Sequence, residues 1–176
     1  NKVKRVVALS TDKASNPVNL YGATKLASDK LFIAANSYSK PDKTKFSLVR
    51  YGNVMGSRGS IIPYFLSLKE KNVFPVTDEN MPRFMISLEQ GVELVLHAFK
   101  DMVGGEIYVK KIPSMNILEI VRAISKKAKI DIIGISPGEM LHEQMIGFED
   151  ASFTYEYDDY FKILTWIHNW SDDAGR

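Results

Sequence analysis

An apolar run that ends in a cluster of reactive side chains, with a long helix close behind it, leaves a chain few ways to fold. Val6-Val7-Ala8-Leu9 is such a run, and Ser10-Thr11-Asp12-Lys13 follows it directly. Residues Val3 to Leu9 suit a buried, central parallel strand. Asn16-Pro17 then signals a turn, because Pro17 biases the residue before it away from helix. A helix is expected from about Leu20 to Tyr38, with Ala23, Ala27, Leu31, Ala34 and Tyr38 on one stripe. In open α/β sheets, ligands bind at the carboxyl ends of the strands. Thr11, Asp12 and Lys13 are therefore expected at such an edge.

Tyr21 and Lys25 are spaced i, i+4, so on a helix they share one face. A free phenol titrates near about 10 and is a poor base at neutral pH. An ammonium held beside it favours the phenolate and brings it toward the working range. One short segment thus offers a hydroxyl, a carboxylate, an amine and a tunable phenol. The same residues also read as an exposed helix-start tyrosine with an incidental lysine, and as a solvent-facing Asp-Lys turn.

Further along, Phe46 to Tyr51 is the next strand candidate, followed by a loop with Gly52, Gly56 and Gly59. Ile61 to Lys71 reads as a helix with Pro63 in its first turn, where a missing N–H costs nothing. Pro75, Asp78-Glu79-Asn80 and Pro82 mark loops and short strands, and here the chain is expected to leave the sheet for a smaller lobe. Ser87-Leu88-Glu89-Gln90 has the pattern of a capping box opening another helix. Glu106 to Val109 and Ile130 to Ile135 read as strands, and Ser114 is expected to cap a helix between them. Pro41-Asp42-Lys43 is expected as a loop. Tyr155, Tyr157, Tyr160, Phe161, Trp166 and Trp170 make an aromatic tail, which suits packing or a subunit contact better than chemistry. The domain reading is residues 1–72 for the sheet, 73–157 mainly for the second lobe, and 158–176 for the tail; the helix near 87–101 is allowed to return to the sheet.

The bulk composition narrows the functions. With 176 residues, 45% hydrophobic and 25% charged, the chain can bury a real core. A net charge of +2 with no dense Lys/Arg block gives a nucleic-acid partner no electrostatic footprint. There is no cysteine, hence no disulfide framework or thiolate metal site. His97, His142 and His168 are scattered without metal-ligand spacing, so no metal is expected. No apolar run is long enough to span a membrane. No Gly-x-Gly-x-x-Gly turn follows any strand, although a dinucleotide-binding chain needs such a loop to cradle phosphates. The chain is therefore expected to be the carboxyl-terminal portion of a longer protein, unable to hold its cofactor alone.

Three blocks in order carry a resemblance: Ser10-Thr11-Asp12-Lys13; Asn16-Pro17-Val18-Asn19-Leu20-Tyr21-Gly22-Ala23-Thr24-Lys25; and Arg50-Tyr51-Gly52-Asn53-Val54-Met55-Gly56-Ser57-Arg58-Gly59-Ser60. Pro137-Gly138-Glu139 and Leu141-His142-Glu143 add to them. Together, from about Val3 to Tyr157, the chain resembles the extended short-chain dehydrogenase/reductases. Within them it looks most like the UDP-N-acetylglucosamine 4,6-dehydratases that invert C5 and feed pseudaminic acid and related surface or flagellar glycan pathways. The resemblance implies an α/β fold: part of a Rossmann-like doubly wound parallel sheet with a smaller α+β substrate lobe. It implies a lyase using tightly bound, recycled NADP or NAD on a UDP-sugar, in the cytoplasm, as a homo-oligomer, with the helix expected at about Leu20 to Tyr38 often contributing to the dimer interface in that family.

By the same resemblance, Tyr21 is the base that takes the C4 hydroxyl proton, and Thr11 holds that hydroxyl. Lys25 assists Tyr21 and bonds the nicotinamide ribose. Lys13 takes the C5 proton, made neutral by burial or by a cationic neighbour such as Lys25, and Asp12 protonates the departing C6 hydroxyl. Asn53, Arg58, Arg83 and Glu139 are the substrate-binding candidates, with Asn53 on the sugar nucleotide, Arg83 on its pyrophosphate and Glu139 near the nucleotide ribose. Three positions depart from the family pattern. Ser136 and Met140 flank Pro137-Gly138-Glu139 where the family has Arg and Lys, and Met85 follows Arg83-Phe84 in place of Trp. Loss of one charge-assisted bond to phosphate costs ~1.5–3 kcal/mol of binding. The alternatives are an epimerase of the same fold and a non-catalytic nucleotide-sugar binding remnant.

Overall fold

A computed structural model describes residues 2–39 and 44–166. The loop expected at residues 41–43, His168 and Trp170 lie outside the described residues. In chain order the first elements are β1 (Arg5–Thr11), a 3₁₀ turn (Asp12–Ala14), α1 (Leu20–Tyr38), β2 (Lys45–Tyr51), β3 (Asn53–Val54) and α2 (Ile61–Ser67). Then come β4 (Val73–Val76), β5 (Pro82–Ile86), α3 (Leu88–Asp101), β6 (Glu106–Lys110), β7 (Ser114–Asn116) and α4 (Ile117–Ile124). The last are β8 (Lys129–Ile132), α5 (Phe148–Ala151), β9 (Thr154–Glu156) and β10 (Tyr160–Leu164).

These form two compact units. The first is Asn1–Tyr51, Glu89–Lys111 and Gln144–Arg176, and the second is Gly52–Leu88 and Ile112–Glu143. The chain thus changes unit at Gly52, ahead of the boundary expected near residue 72, because β3 pairs with β5 and not with the large sheet.

The first unit is built on a five-stranded sheet ordered β1-β2-β6-β10-β9. β1, β2 and β6 run parallel, while β10 and β9 close the sheet antiparallel. Side chains alternate faces along a strand, and β2 illustrates the consequence. Leu48 packs with Ile33 of α1 on one face, and Val49 packs with Leu94 and Ala98 of α3 and with Met102 just beyond it on the other. A helix covers each face, as the doubly wound reading requires. β1 differs from expectation: it is an edge strand among the described residues, with Val6, Val7 and Ala8 half-buried and Leu9 exposed. The segment expected as an aromatic tail instead supplies β10, whose Ile163 and Leu164 are buried beside β6.

The second unit has its own core, made by Phe65 of α2, Phe74 and Val76 of β4, Met85 of β5, and Ile117, Ile120 and Val121 of α4. β3, β5 and β7 form one sheet, and β4 and β8 pair parallel in another. Ser114, expected to cap α4, lies in β7 opposite Phe84. The cap is Asn116, whose side chain accepts from the Leu118 amide while Glu119 reaches back to the Asn116 amide, a capping box. α2 ends at Ser67, short of the expected Lys71.

Candidate active site

At the carboxyl end of β1 the backbone turns through Asp12–Ala14. Asp12 has no exposed surface. Its Oδ1 accepts from the Thr11 hydroxyl (2.7 Å), the Lys13 amide (3.0 Å) and the Lys13 ammonium (3.1 Å). Thr11, Asp12 and Lys13 are thus one hydrogen-bonded cluster. A buried carboxylate is tolerated only when paired and bonded in this way. Lys13 keeps about a third of its side chain exposed, so the amine end of the pair reaches solvent while the acid end does not.

α1 starts against this cluster. Asn19 caps it by accepting from the Gly22 amide (2.9 Å). A Cβ on Gly22 would lie 2.6 Å from the Lys13 carbonyl oxygen and 3.0 Å from the Pro17 Cβ. Only glycine lets the first turn of α1 come this close to the turn that carries Asp12 and Lys13. Tyr21, its neighbour, is 56% exposed. The Lys25 ammonium donates to the Leu9 carbonyl (3.2 Å), not to the Tyr21 phenol, and so ties α1 to the end of β1. The cationic neighbour expected for Lys13 is not in place, since Lys25 bonds the Leu9 carbonyl, and the contact Lys13 makes instead is an ion pair with Asp12 (3.1 Å).

The remaining candidates belong to the second unit. Asn53 donates to Glu143 (3.0 Å) and to the Phe84 carbonyl (3.2 Å). Arg83 pairs with Glu143 (3.4 Å) and Glu139 (3.9 Å), and Glu139 accepts from Thr77 (3.0 Å). Asn53 and Arg83 also border one cavity of about 190 Å³ with Ser60 and Met85. The structure therefore brings Asn53, Arg83 and Glu139 together. Arg83 spends much of its fork on the Pro82, Leu141 and Met140 carbonyls. Arg58 stands apart, exposed on the turn between Gly56 and Gly59, both at positive φ. Glu143, nearly buried, bridges Asn53 and Arg83, yet no role was read for it from sequence. Its only signal was its place in the Leu141-His142-Glu143 block. Among the described residues, no group of His, Cys, Asp or Glu side chains could hold a metal ion, and no helix is long and apolar enough to cross a membrane.

A parallel-stranded unit covered by helices on both faces, with a Tyr-x-x-x-Lys helix starting beside a polar cluster at a strand end, defines a Rossmann-like α/β protein of the short-chain dehydrogenase/reductase type. The chain belongs to the polysaccharide biosynthesis protein family, which matches it over residues 1–165. It is 54% identical over 165 residues to the UDP-N-acetylglucosamine 4,6-dehydratase (inverting) of Campylobacter jejuni subsp. jejuni serotype O:23/36 (strain 81-176), covering 93% of this chain and 49% of that protein. It is 39% identical over 168 residues to the UDP-glucose 4-epimerase of Rickettsia bellii (strain OSU 85-389), again covering 93% and 49%. The X-ray structure of Pen from Bacillus thuringiensis superposes with a TM-score of 0.86 at 37% identity, over 96% of this chain and 55% of that one. The chain spans about half the length of the curated relatives it matches.

Proposed function

We propose that the intact protein is a lyase that converts a UDP-hexosamine, UDP-N-acetylglucosamine, into its 4-keto-6-deoxy form with net loss of one water and inversion at C5. The observation that carries this reading is the Asp12–Lys13 pair, held at 3.1 Å directly after Thr11 at the strand end. Moving one proton across that contact converts the ion pair into an amine and a carboxylic acid. On the C4-oxidised sugar, Lys13 takes the C5 proton while Asp12 gives one to the departing C6 hydroxyl. The reaction leaves Lys13 charged and Asp12 ionised, so one proton shift between them resets the site. Tyr21 takes the C4 hydroxyl proton, and Thr11 orients that hydroxyl with a lone pair while donating to Asp12.

The exposed Tyr21 phenol, and Lys25 with donors beyond its bond to Leu9, fit the ribose end of NAD or NADP. When bound, the nicotinamide supplies a reversible hydride acceptor. No glycine-rich phosphate loop is present in these 176 residues to hold the rest of it. Asn53, Arg58, Arg83 and Glu139 are assigned to the sugar nucleotide, with exposed Arg58 the cation readiest to meet phosphate. The exposed stripe through Ala23, Ala27 and Leu31 supports self-association through α1. The 54% identity to an inverting dehydratase supports the reaction, and the polysaccharide biosynthesis family match supports a surface glycan as the destination of the product.

Mass spectrometry of the UDP-sugar after incubation with the intact protein tests the reading: the expected product is lighter by one water. An unchanged mass with altered stereochemistry would make it an epimerase. Lys13→Glu and Tyr21→Phe are each expected to lower turnover by about 10²–10⁴-fold with nucleotide binding retained. Unchanged turnover in both rejects the assignment.

A further inference from the structure

A second polar node lies inside the first unit, and the chemistry above makes no use of it. Ser10, Asp29 and Arg50 are all at most 4% exposed. Ser10 and Arg50 are register partners across the parallel β1–β2 pair, and both reach the same atom on α1. The Ser10 hydroxyl donates to Asp29 Oδ2 at 2.6 Å, and Arg50 Nη2 donates to it at 3.2 Å. Arg50 Nη1 continues to the Met145 carbonyl (3.1 Å) and to Asp150 (3.6 Å). Three elements, β1, β2 and α1, therefore meet at one buried carboxylate, and Arg50 links them on to Asp150 of α5.

Stability alone is a poor reason for this arrangement. Burying two charges costs desolvation, which mutual attraction repays only when every remaining donor and acceptor is satisfied. Here Asp29 Oδ1 and Arg50 Nε are buried without a hydrogen-bond partner, beside a cavity of about 990 Å³. Apolar residues of similar volume would pack as well and without that cost. What they could not do is fix the rotation and height of α1 against the end of β1. Asp29 is i+4 from Lys25 and i+8 from Tyr21, so the three lie along one side of the helix. Lys25 is tied to Leu9 and Asp29 to Ser10, the two residues that lead into Thr11.

We propose that the Ser10–Asp29–Arg50 node is a positioning device that sets the Tyr21 face of α1 against the Thr11–Asp12–Lys13 turn. The roles it serves rest on the dehydratase reading above, but the device itself does not require that reaction. Its residues hold no substrate. They hold the two acid/base groups at a fixed mutual geometry, where a misplacement of about 1 Å can cost about 10²-fold in rate.

The test replaces the pair by apolar residues, Asp29→Leu with Arg50→Met, in the intact protein. Two measurements are made: steady-state kinetics and hydrogen exchange at the Lys13 and Ser15 amides, which bond to Asp12. The expected result is a melting temperature close to wild type, kcat lower by 10–100-fold, KM within about threefold, and exchange at those two amides at least tenfold faster. Unchanged exchange there overturns the proposal, as does unchanged kcat in an active wild type. A fall in kcat that merely follows a fall in melting temperature also overturns it. Should the double variant not fold, Ser10→Ala removes one bond of the node and is read by the same signs. Faster exchange in a protein whose wild type turns over no UDP-hexosamine would defeat the dehydratase reading and leave the node standing.

Discussion

Gly22 is where the residue scale is most exacting. The distance from a Cβ there to the Lys13 carbonyl, 2.6 Å, is one that no side chain can occupy without movement. Neither neighbour can yield easily, since one is backbone and the other is Pro17. Gly22→Ala is expected to cost ~1–3 kcal/mol by overpacking and to lower kcat more than its melting temperature explains, because the displaced first turn carries Tyr21. A thermal melt and a kcat measured well below the melting temperature check both halves. The placement of Thr11, Asp12 and Lys13 at a strand end, and of Tyr21 and Lys25 in the first turns of α1, was legible from sequence because strand end, turn and helix start are local. Asp29 with Arg50, and Asn53 with Glu143, were not, since partners 21 and 90 residues apart leave no periodic trace.

Among the elements, α1 was foreseen to the residue, yet the face it buries was not. The apolar stripe through Ala23, Ala27, Leu31 and Tyr38 is exposed, whereas Gly22, Asp29 and Ile33 are the buried residues of the helix. A charged residue counted as polar by any pattern is buried here because an arginine from β2 meets it. α4 gives the opposite lesson. Its apolar face was plain, and Ile117, Ile120 and Val121 are its buried residues. Its start was misplaced, because Ser114 and Asn116 are both good caps and only pairing of Ser114–Asn116 with β5 selects the second. Asn116→Ala is expected to destabilise the protein by ~0.5–2 kcal/mol, read from urea unfolding. Ser114→Ala, removing a hydroxyl that caps nothing, should leave the midpoint near wild type.

At the scale of the whole molecule, the parallel strands announced themselves by their apolar runs, but the antiparallel closure by β10 did not. Its sequence, Tyr160-Phe161-Lys162-Ile163-Leu164, puts a lysine in mid-strand, and that lysine is 2% exposed. Lys162 is housed because its ammonium pairs with Asp101 at 2.7 Å and lies over the Tyr108 and Tyr157 rings. Asp101 accepts from Tyr108 as well, and the Tyr108 phenol is pushed far above its usual range by burial and by the carboxylates of Glu106 and Asp101. Burial alone would raise the Asp101 carboxyl, but the hydrogen bonds from Lys162 and Tyr108 outweigh it and leave it below its ordinary value of 3.8. A carboxyl lowered on folding binds its proton less tightly in the native state than in the unfolded one. Its contribution to stability is therefore present above about pH 4 and is lost as pH falls through the lower native value. Asp101→Asn, which cannot ionise, should melt below wild type at pH 6, with the gap narrowing as pH falls below about 4 and wild-type Asp101 takes up its proton. A gap constant over that range would mean that the β6–β10 pairing does not depend on the charge at Asp101.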